Sequence, residues 1–357
     1  MMSKKPIPGG VPALLYLSIN DGSDTRINKE IATLSRVFAV DFVGVAAVDS
    51  HPFVAAQIRR MEVIPGRRRS VATLARLYWR VWRLLRRHRY DSVHVINENL
   101  YLLLWPLLVG QRVVLDVFDS MFLKSAAPGW WTRLGQRLCY ARPSKVIVTD
   151  EERAQLMPAW VRKKLLVLPN YPFRYTGPEG KRLAGEVRVL YAGSLSDTRG
   201  TIFVEQLLAA AEDVRVVMAG WLYDQRSRDL ARHPCVEWLG TIPQQQIIAQ
   251  ATRCDFILCH YEPVNQNNIY ASPNKIYDAI QAGTAVIINP EVRVSRFVRE
   301  HHLGVVLDAY QPADMKKVAQ TLREFKAAYR PDPALREKYL WESVEDRLLA
   351  AHGMPTV

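Results

Sequence analysis

Cysteine is scarce in this 357-residue sequence: four, at Cys139, Cys235, Cys254 and Cys259. That excludes a disulfide-stapled scaffold, and no two of them have the CxxC spacing of a structural zinc site. Long apolar runs are missing too. The longest, Leu100 to Val109, holds ten residues, half of the ~20 that a membrane-spanning helix needs. Met1 to Lys5, followed by Pro6, Pro8 and the Gly9-Gly10 pair, lack the apolar stretch of a secretory signal, so a reducing cytoplasm is the expected location. Also absent are two aspartates two apart (DxD), a GxxxxGK[ST] phosphate loop, HExxH, and a GxGxxG after the first strand candidate. Nothing here demands a metal ion or a nicotinamide, so no cofactor is expected. His301-His302 reads as a surface pair.

Acidic residues are short in one half only. Residues 1–170 carry 26 Lys and Arg against 13 Asp and Glu, while residues 171–357 are balanced at 22 each, so the whole net charge of +13 lies in the first half. So one-sided a field implies an anionic partner for that half, whether nucleic acid, an anionic membrane surface or a phosphate-bearing substrate. Charge kept only for solubility would be spread more evenly.

The length suggests two domains, and the patterning agrees. Candidate strands in the first half are Ala13 to Ile19, Asp41 to Val45, Ser92 to Ile96, Arg112 to Asp116, Lys145 to Thr149 and Leu165 to Leu168. Helical periodicity lies between them. Val71, Leu74, Ala75, Tyr78, Val81, Trp82 and Leu85 follow the spacing of one buried stripe. Asn170 through Gly185 is rich in Pro and Gly and reads as a linker. Alternation restarts with Val187 to Tyr191, Val214 to Met218, Val236 to Leu239, Phe256 to His260, Ala285 to Ile288 and Gly304 to Leu307, and Asp332 to Ala350 reads as helical. The expected fold class is α/β: two doubly wound, Rossmann-like domains facing a cleft. Their expected limits are 1–170 and 171–330, with 331–357 a terminal helix crossing back to the first domain.

Two loops in the second half carry chemistry. Tyr191 to Gly200 (YAGSLSDTRG) follows a strand and precedes a helix. Gly193 and Gly200 permit close approach of backbone to ligand, Ser194 lies between them, and Arg199 supplies bidentate donors. The plainer alternative is a tight turn with a solvated arginine. In the second loop, Ser272 is placed to cap a helix with Pro273 at its first position, and Asn274 and Lys275 fall in the first turn. Free amides there, with Lys275 beside them, make a second anion site. Asp278 lies one turn after Asn274, placed to accept from sugar or ribose hydroxyls. Together the loops suit a diphosphate.

These motifs resemble the donor domain of GT-B glycosyltransferases of the large family-4, group 1 type. The likeness runs through Gly193 to Gly200, the Gly220 turn, Val236 to Gly240, Asp255 to His260, Ser272 to Lys275, Asp278 to Gly283 and the terminal Trp341-Glu342. In the first half it includes Asp21 to Glu30 and Val114 to Asp119, among them Asp21 and Arg26. It implies a nucleotide diphosphate sugar as co-substrate and an acceptor held by the first domain. The family's E-x7-E pair is incomplete: Asp278 stands at its second position, but Tyr270 stands at its first, which leaves donor identity and stereochemistry open. Ser194 also stands where an arginine is common.

In the first half, Asp119 follows a strand end, where it would serve as a general base for an acceptor hydroxyl or merely cap the next turn. Asn97 and Glu98, after the strand Ser92 to Ile96, are further acceptor-side candidates. Between Arg67 and Arg89 stand nine arginines, with Trp79 and Trp82, and no acid. Arg76, Arg80, Arg83 and Arg87 would lie opposite the buried stripe, a composition that suits anionic lipid. The expectation is therefore a metal-independent glycosyltransferase of hexosyltransferase type, peripheral on the inner membrane face. It would move a sugar to a lipid-linked or polysaccharide-precursor acceptor, with no nucleic acid as partner. The alternatives are a nucleotide-sugar 2-epimerase of the same fold, a non-catalytic nucleic-acid or anion-binding protein, and an inactive paralogue acting as scaffold.

Overall fold

A computed structural model describes residues 10–46, 58–68, 70–123 and 129–355. The N-terminal Met1 to Gly9 stretch, and with it Lys4 and Lys5, lies outside them, as does Arg69 of the basic run. The chain forms two units: Met1–Pro169 with Val344–Val357, and Asn170–Ser343. The first unit comprises β1 (Ala13–Leu17), α1 (Thr25–Leu34), β2 (Ala39–Ala46), β3 (Arg60–Pro65), α2 (Val71–Arg87), β4 (Ser92–Ile96), α3 (Glu98–Leu104), β5 (Val113–Val117), α4 (Trp130–Tyr140), β6 (Lys145–Val148), α5 (Glu151–Leu156) and β7 (Leu165–Val167). All seven strands are parallel, in the order β3-β2-β1-β4-β5-β6-β7.

The second unit comprises β8 (Val187–Leu195), α6 (Thr201–Ala210), β9 (Val214–Leu222), α7 (Gln225–Leu230), β10 (Val236–Trp238), α8 (Gln244–Ala251), β11 (Phe256–Cys259), α9 (Gln266–Ile269), α10 (Asn274–Ala282), β12 (Ala285–Ile288), α11 (Ser295–Glu300), β13 (Gly304–Val306), α12 (Met315–Ala328) and α13 (Pro333–Lys338). Its parallel sheet runs β10-β9-β8-β11-β12-β13. The chain ends in α14 (Glu345–Ala351), part of the first unit. Both units are doubly wound α/β, as expected. Among the described residues no helix is long and apolar enough to cross a membrane.

The alternation of strand side chains sorts the first unit into two layers. Leu15, Leu17, Val43, Val45, Val93, Val95, Leu115 and Val117 form one core cluster with Leu77 and Val81 of α2, Leu100 and Leu104 of α3, and Cys139 and Tyr140 of α4. Alternate positions Tyr16, His94 and Asp116 are fully buried outside that cluster, in contact with α1 and the end of α14.

Several expectations need correction. β3 is absent from the sequence reading, because Arg60 and Glu62 interrupt its apolar pattern; it is the edge strand, only half buried, and one face suffices there. α2 buries Thr73, Leu77, Val81, Leu84 and Leu85, not the stripe that begins at Val71. Val71 is 83% exposed and Trp82 40%. Two apolar sets share this helix, and the one richer in compact aliphatics packs on the sheet, leaving the tryptophans outside. The four arginines accordingly run along one flank of the helix, beside the buried set rather than opposite it, with Arg76, Arg80 and Arg87 exposed. Arg80 pairs with Glu62 of β3 at 3.6 Å, Arg76 reaches back to Thr73, Arg83 is half buried over the Trp79 ring, and Arg87 is exposed.

The stretch Asp332 to Ala350 is not one helix. α13 ends at Lys338, a short 3-10 turn follows at Trp341–Ser343, and α14 begins at Glu345. Trp341 is fully buried in the second unit, and its amide donates to the Pro172 carbonyl at 2.8 Å. The return to the first unit thus begins at Val344 rather than at residue 331. There Glu345 accepts from Thr33 Oγ1 at 2.8 Å and pairs with Arg36.

Candidate active site

In the second unit the parallel order brings the carboxyl ends of β8, β9, β11 and β12 side by side, the position at which such sheets bind ligands. β8 and β9 run four residues further than the periodicity suggests, and they pair as far as Gly193↔Gly220 and Leu195↔Leu222. Gly193 and Ser194 are therefore strand residues, not loop residues. Both glycines have positive φ, and a Cβ on Gly220 would overlap the Gly193 carbonyl. Only glycine lets the two strands close here.

Arg199 ends a 3-10 turn (Asp197–Arg199), and Gly200, at φ +120°, reverses the chain into α6. The Arg199 guanidinium lies 4.4 Å from the centroid of the Tyr261 ring. From α10, the Lys275 ammonium lies 5.8 Å from that ring and 5.7 Å from the Tyr191 ring. Two cations thus converge on one aromatic ring beside Gly193, which would meet the Lys275 chain at 3.7 Å if it carried a Cβ. Burial pulls the Lys275 ammonium down to about 8, with the Arg199 charge adding to the effect against Cys259 and Asp278. An anion placed there would relieve that penalty.

Ser272 does not cap α10. Pro273 is the N-cap and makes no side-chain cap hydrogen bond, and the Ser272 carbonyl accepts from Asn170 Nδ2 at 2.9 Å. Asn274 opens the helix, half buried. Asp278 is 3% exposed, and its Oδ1 accepts from Gln244 Nε2 at 2.7 Å. Its carboxylate is held by α8 within the protein rather than presented to a ligand. At the position of the missing acid, Tyr270 carries the Arg293 guanidinium 5.4 Å from its ring centroid.

The first unit gathers its candidates around the ends of β1, β4 and β5. Asn97, at φ +62°, accepts at Oδ1 from the amides of Phe118 and Asp119, each at 3.1 Å. It therefore shapes the loop that presents Asp119, which is exposed. Glu98 is fully buried and accepts from Ser120 Oγ, Tyr140 OH and the Met121 amide. Burial pushes its carboxyl up, against those hydrogen bonds. Asp21 is buried and accepts from the amide and hydroxyl of Ser23. Glu98 and Asp21 are loop braces, not acceptor-facing groups.

Arg26 likewise points inward. Its guanidinium bridges Asp116 (2.9 Å) and Glu30 (3.0 Å) and donates to the Leu168 carbonyl at 2.9 Å. Tyr16 OH donates to Glu30 at 2.6 Å, His94 Nε2 lies 3.2 Å from Glu30, and His94 Nδ1 lies 3.0 Å from His352 Nε2. Glu30, His94 and Asp116 could together hold a metal ion, but Arg26 already supplies the positive charge between the two carboxylates. The cluster is a buried polar core.

No protein-family model matches the sequence, and no curated protein matches it. Solved structures do. HepE from Anabaena in complex with UDP-glucose matches with a TM-score of 0.66 and 14% identity, over 95% of this chain and 99% of that one. Sucrose-phosphate synthase from Thermosynechococcus elongatus matches at 0.65 and 16%, over 95% of both chains. The lipopolysaccharide outer core galactosyltransferase WaaB matches at 0.57 and 12%, over 95% and 98%. The fold is GT-B.

Within the second unit of this GT-B chain, Tyr261, Asn289, Glu291 and Tyr310 are not among the candidates drawn from sequence, and His260 stands there only as the end of a strand and of a family-like stretch. Asn289 Oδ1 accepts from the Tyr261 amide at 3.0 Å, and its Nδ2 donates to Glu291 at 2.8 Å. Burial works against the Glu291 charge, yet hydrogen bonds from Asn289 and the Tyr310 amide hold its carboxyl below the usual range. His260 stacks between Phe203 and Tyr310; burial lowers its imidazole to about 4. These residues directly follow β11 and β12 or pack on those that do. Position after a strand was the available signal.

Proposed function

We propose that this chain is a nucleotide-sugar-dependent glycosyltransferase. The convergence of Arg199 and Lys275 on Tyr261 beside the glycine pair carries the reading. It offers two cations, one of them the desolvated Lys275 ammonium, and the first-turn amides of α10 to a diphosphate at the strand ends. HepE, of the same fold, is described in complex with UDP-glucose and with UDP, which supports such a donor. Stabilising the negative charge of the leaving diphosphate would be the largest contribution to rate, and the two cations would supply it without a metal ion. Gly193, Ser194 and Gly200 would line the diphosphate, with Asn274 at the helix start.

The first unit would hold the acceptor, with Asp119 as the base that takes the hydroxyl proton. Its excess positive charge favours a lipid-linked or polysaccharide-precursor acceptor bearing phosphate, at the anionic inner face of a membrane, in the synthesis of cell-surface polysaccharide. WaaB, named as a lipopolysaccharide outer core galactosyltransferase, has the same fold. The test is calorimetry of UDP, GDP and their hexose derivatives, followed by assay of nucleotide diphosphate release with and without membrane lipid extract, in the presence and absence of EDTA. Binding of one nucleotide family and lipid-dependent, EDTA-insensitive release are expected. Absence of any nucleotide binding would overturn the assignment.

A further inference from the structure

α4 has its amphipathicity reversed. The inward positions include Gly135, which lies against Phe122, and Cys139 and Tyr140, which join the core cluster, whereas Trp130 (62% exposed), Trp131 (68%), Leu134 (43%) and Leu138 (47%) face outward. Arg133 and Arg137 are interleaved with them on the same exposed face. The spacing of the outward set repeats with the helical turn, so this is one continuous stripe. It extends across a groove of about 570 Å³ to Pro158 and Trp160, the latter 47% exposed. Neither Trp130–Tyr140 nor Ala159–Lys164 contains an acidic residue, and the second segment adds Arg162, Lys163 and Lys164.

We infer that the α4–Trp160 surface is a membrane-docking face that seats in the headgroup region of an anionic bilayer. The inference rests on the proposed lipid-linked acceptor for its purpose. Its physical basis is independent. Tryptophan with flanking arginine, and aliphatics between them, is the composition of a helix lying in a bilayer interface, where the rings sit at headgroup depth and the guanidiniums meet lipid phosphate. A second copy of the chain is a poor occupant. An isologous contact would set Arg133 and Arg137 against their own symmetry mates, with no carboxylate in the patch to neutralise them. α2 packs on the same sheet face as α4. Its outward Trp79 and Trp82 carry Arg83 and Arg86 over their rings, so this layer presents a second element of the same chemistry.

The experiment is flotation of the full chain with phosphatidylcholine vesicles and with vesicles that also contain phosphatidylglycerol, read alongside tryptophan emission. Three proteins are compared: wild type, a Trp131→Ser/Leu134→Ser/Trp160→Ser variant, and an Arg133→Gln/Arg137→Gln variant. All the replaced side chains are exposed, so circular dichroism should be unchanged. Wild type should bind the anionic vesicles with a blue shift, and each variant should lose at least about tenfold in partitioning. Equal partitioning of wild type and variants would overturn the inference, as would equal binding to neutral and anionic vesicles. A lipid-free dimer abolished by the serine variant would overturn it by assigning the stripe to self-association, and retention on duplex DNA in place of vesicles would assign it to nucleic acid. UDP calorimetry on the same three proteins separates the two readings. Absence of nucleotide binding in all three, with wild-type vesicle binding intact and both variants impaired in it, defeats the glycosyltransferase assignment and leaves the docking face standing.

Discussion

The carbonyl of Gly193 occupies the space that any side chain on Gly220 would need. This contact closes the ends of β8 and β9 and sets the floor beside which Arg199 and Lys275 meet. Gly220→Ala forces overlap with backbone, which has no rotamer to give, and adds a side chain at φ +140°. We expect a loss of about 2–4 kcal/mol, read as a lower urea midpoint, together with lost nucleotide binding. A variant as stable as wild type would show that the strands open there.

Lys275→Ala and Arg199→Ala should each weaken UDP or GDP binding roughly tenfold or more, since removing one charged partner of a phosphate costs ~1.5–3 kcal/mol. The wild-type affinity should also depend on pH. With its ammonium at about 8 in the free protein, Lys275 is charged below that pH and loses its charge above it. Affinity for the diphosphate should therefore fall as pH rises through 8, and Lys275→Ala should remove that slope. Calorimetry across pH 7 to 9 decides; a flat wild-type profile would take Lys275 off the phosphate.

Asp119→Asn should leave nucleotide binding intact and lower turnover about 10²-fold, as loss of a general base does. Near-normal turnover in a folded variant would make Asp119 a loop residue held by Asn97.

His94 and His352 are buried, 3.0 Å apart, and one must donate to the other. Burial lowers His94 to about 4 against the pull of Asp116, with Arg26 adding a little, and burial with the His94 and Arg112 charges lowers His352 well below its ordinary value. The unfolded chain takes up these protons near pH 6.5, whereas the native chain resists until about 4. Stability from the pair is thus complete above pH 6.5 and drains away as pH falls toward 4, by about 3 kcal/mol for His94 alone. The raised Glu98 and Asp116 carboxyls act in the opposite sense, so the measurement is the difference between wild type and His352→Gln in urea at pH 7.5 and pH 5. The gap should narrow at the lower pH; a constant gap would show that the pair stays protonated alike in both states.

From the sequence alone, the alternation of β-branched runs with helical stripes determines the two parallel sheets, because side-chain period is a local property. The glycines and the arginine of Gly193 to Gly200 and the Pro273-Asn274-Lys275 helix start were legible for the same reason, although Gly193 is strand rather than loop: glycine freedom, proline stiffness and fixed charge act within a few residues. What lies beyond a few residues was decided by tertiary packing. Arg26, Glu98 and Asp278 look like ligand-facing polar groups in sequence, yet each is buried against partners on another element: Asp116, Tyr140 and Gln244. No local pattern encodes those partners. α2 offered two apolar stripes and the sheet accepted the one with better-fitting side chains, while α4 buries Cys139 and Tyr140 and leaves its tryptophans exposed. Period determines that an element forms; which of its faces is buried depends on the shape it meets.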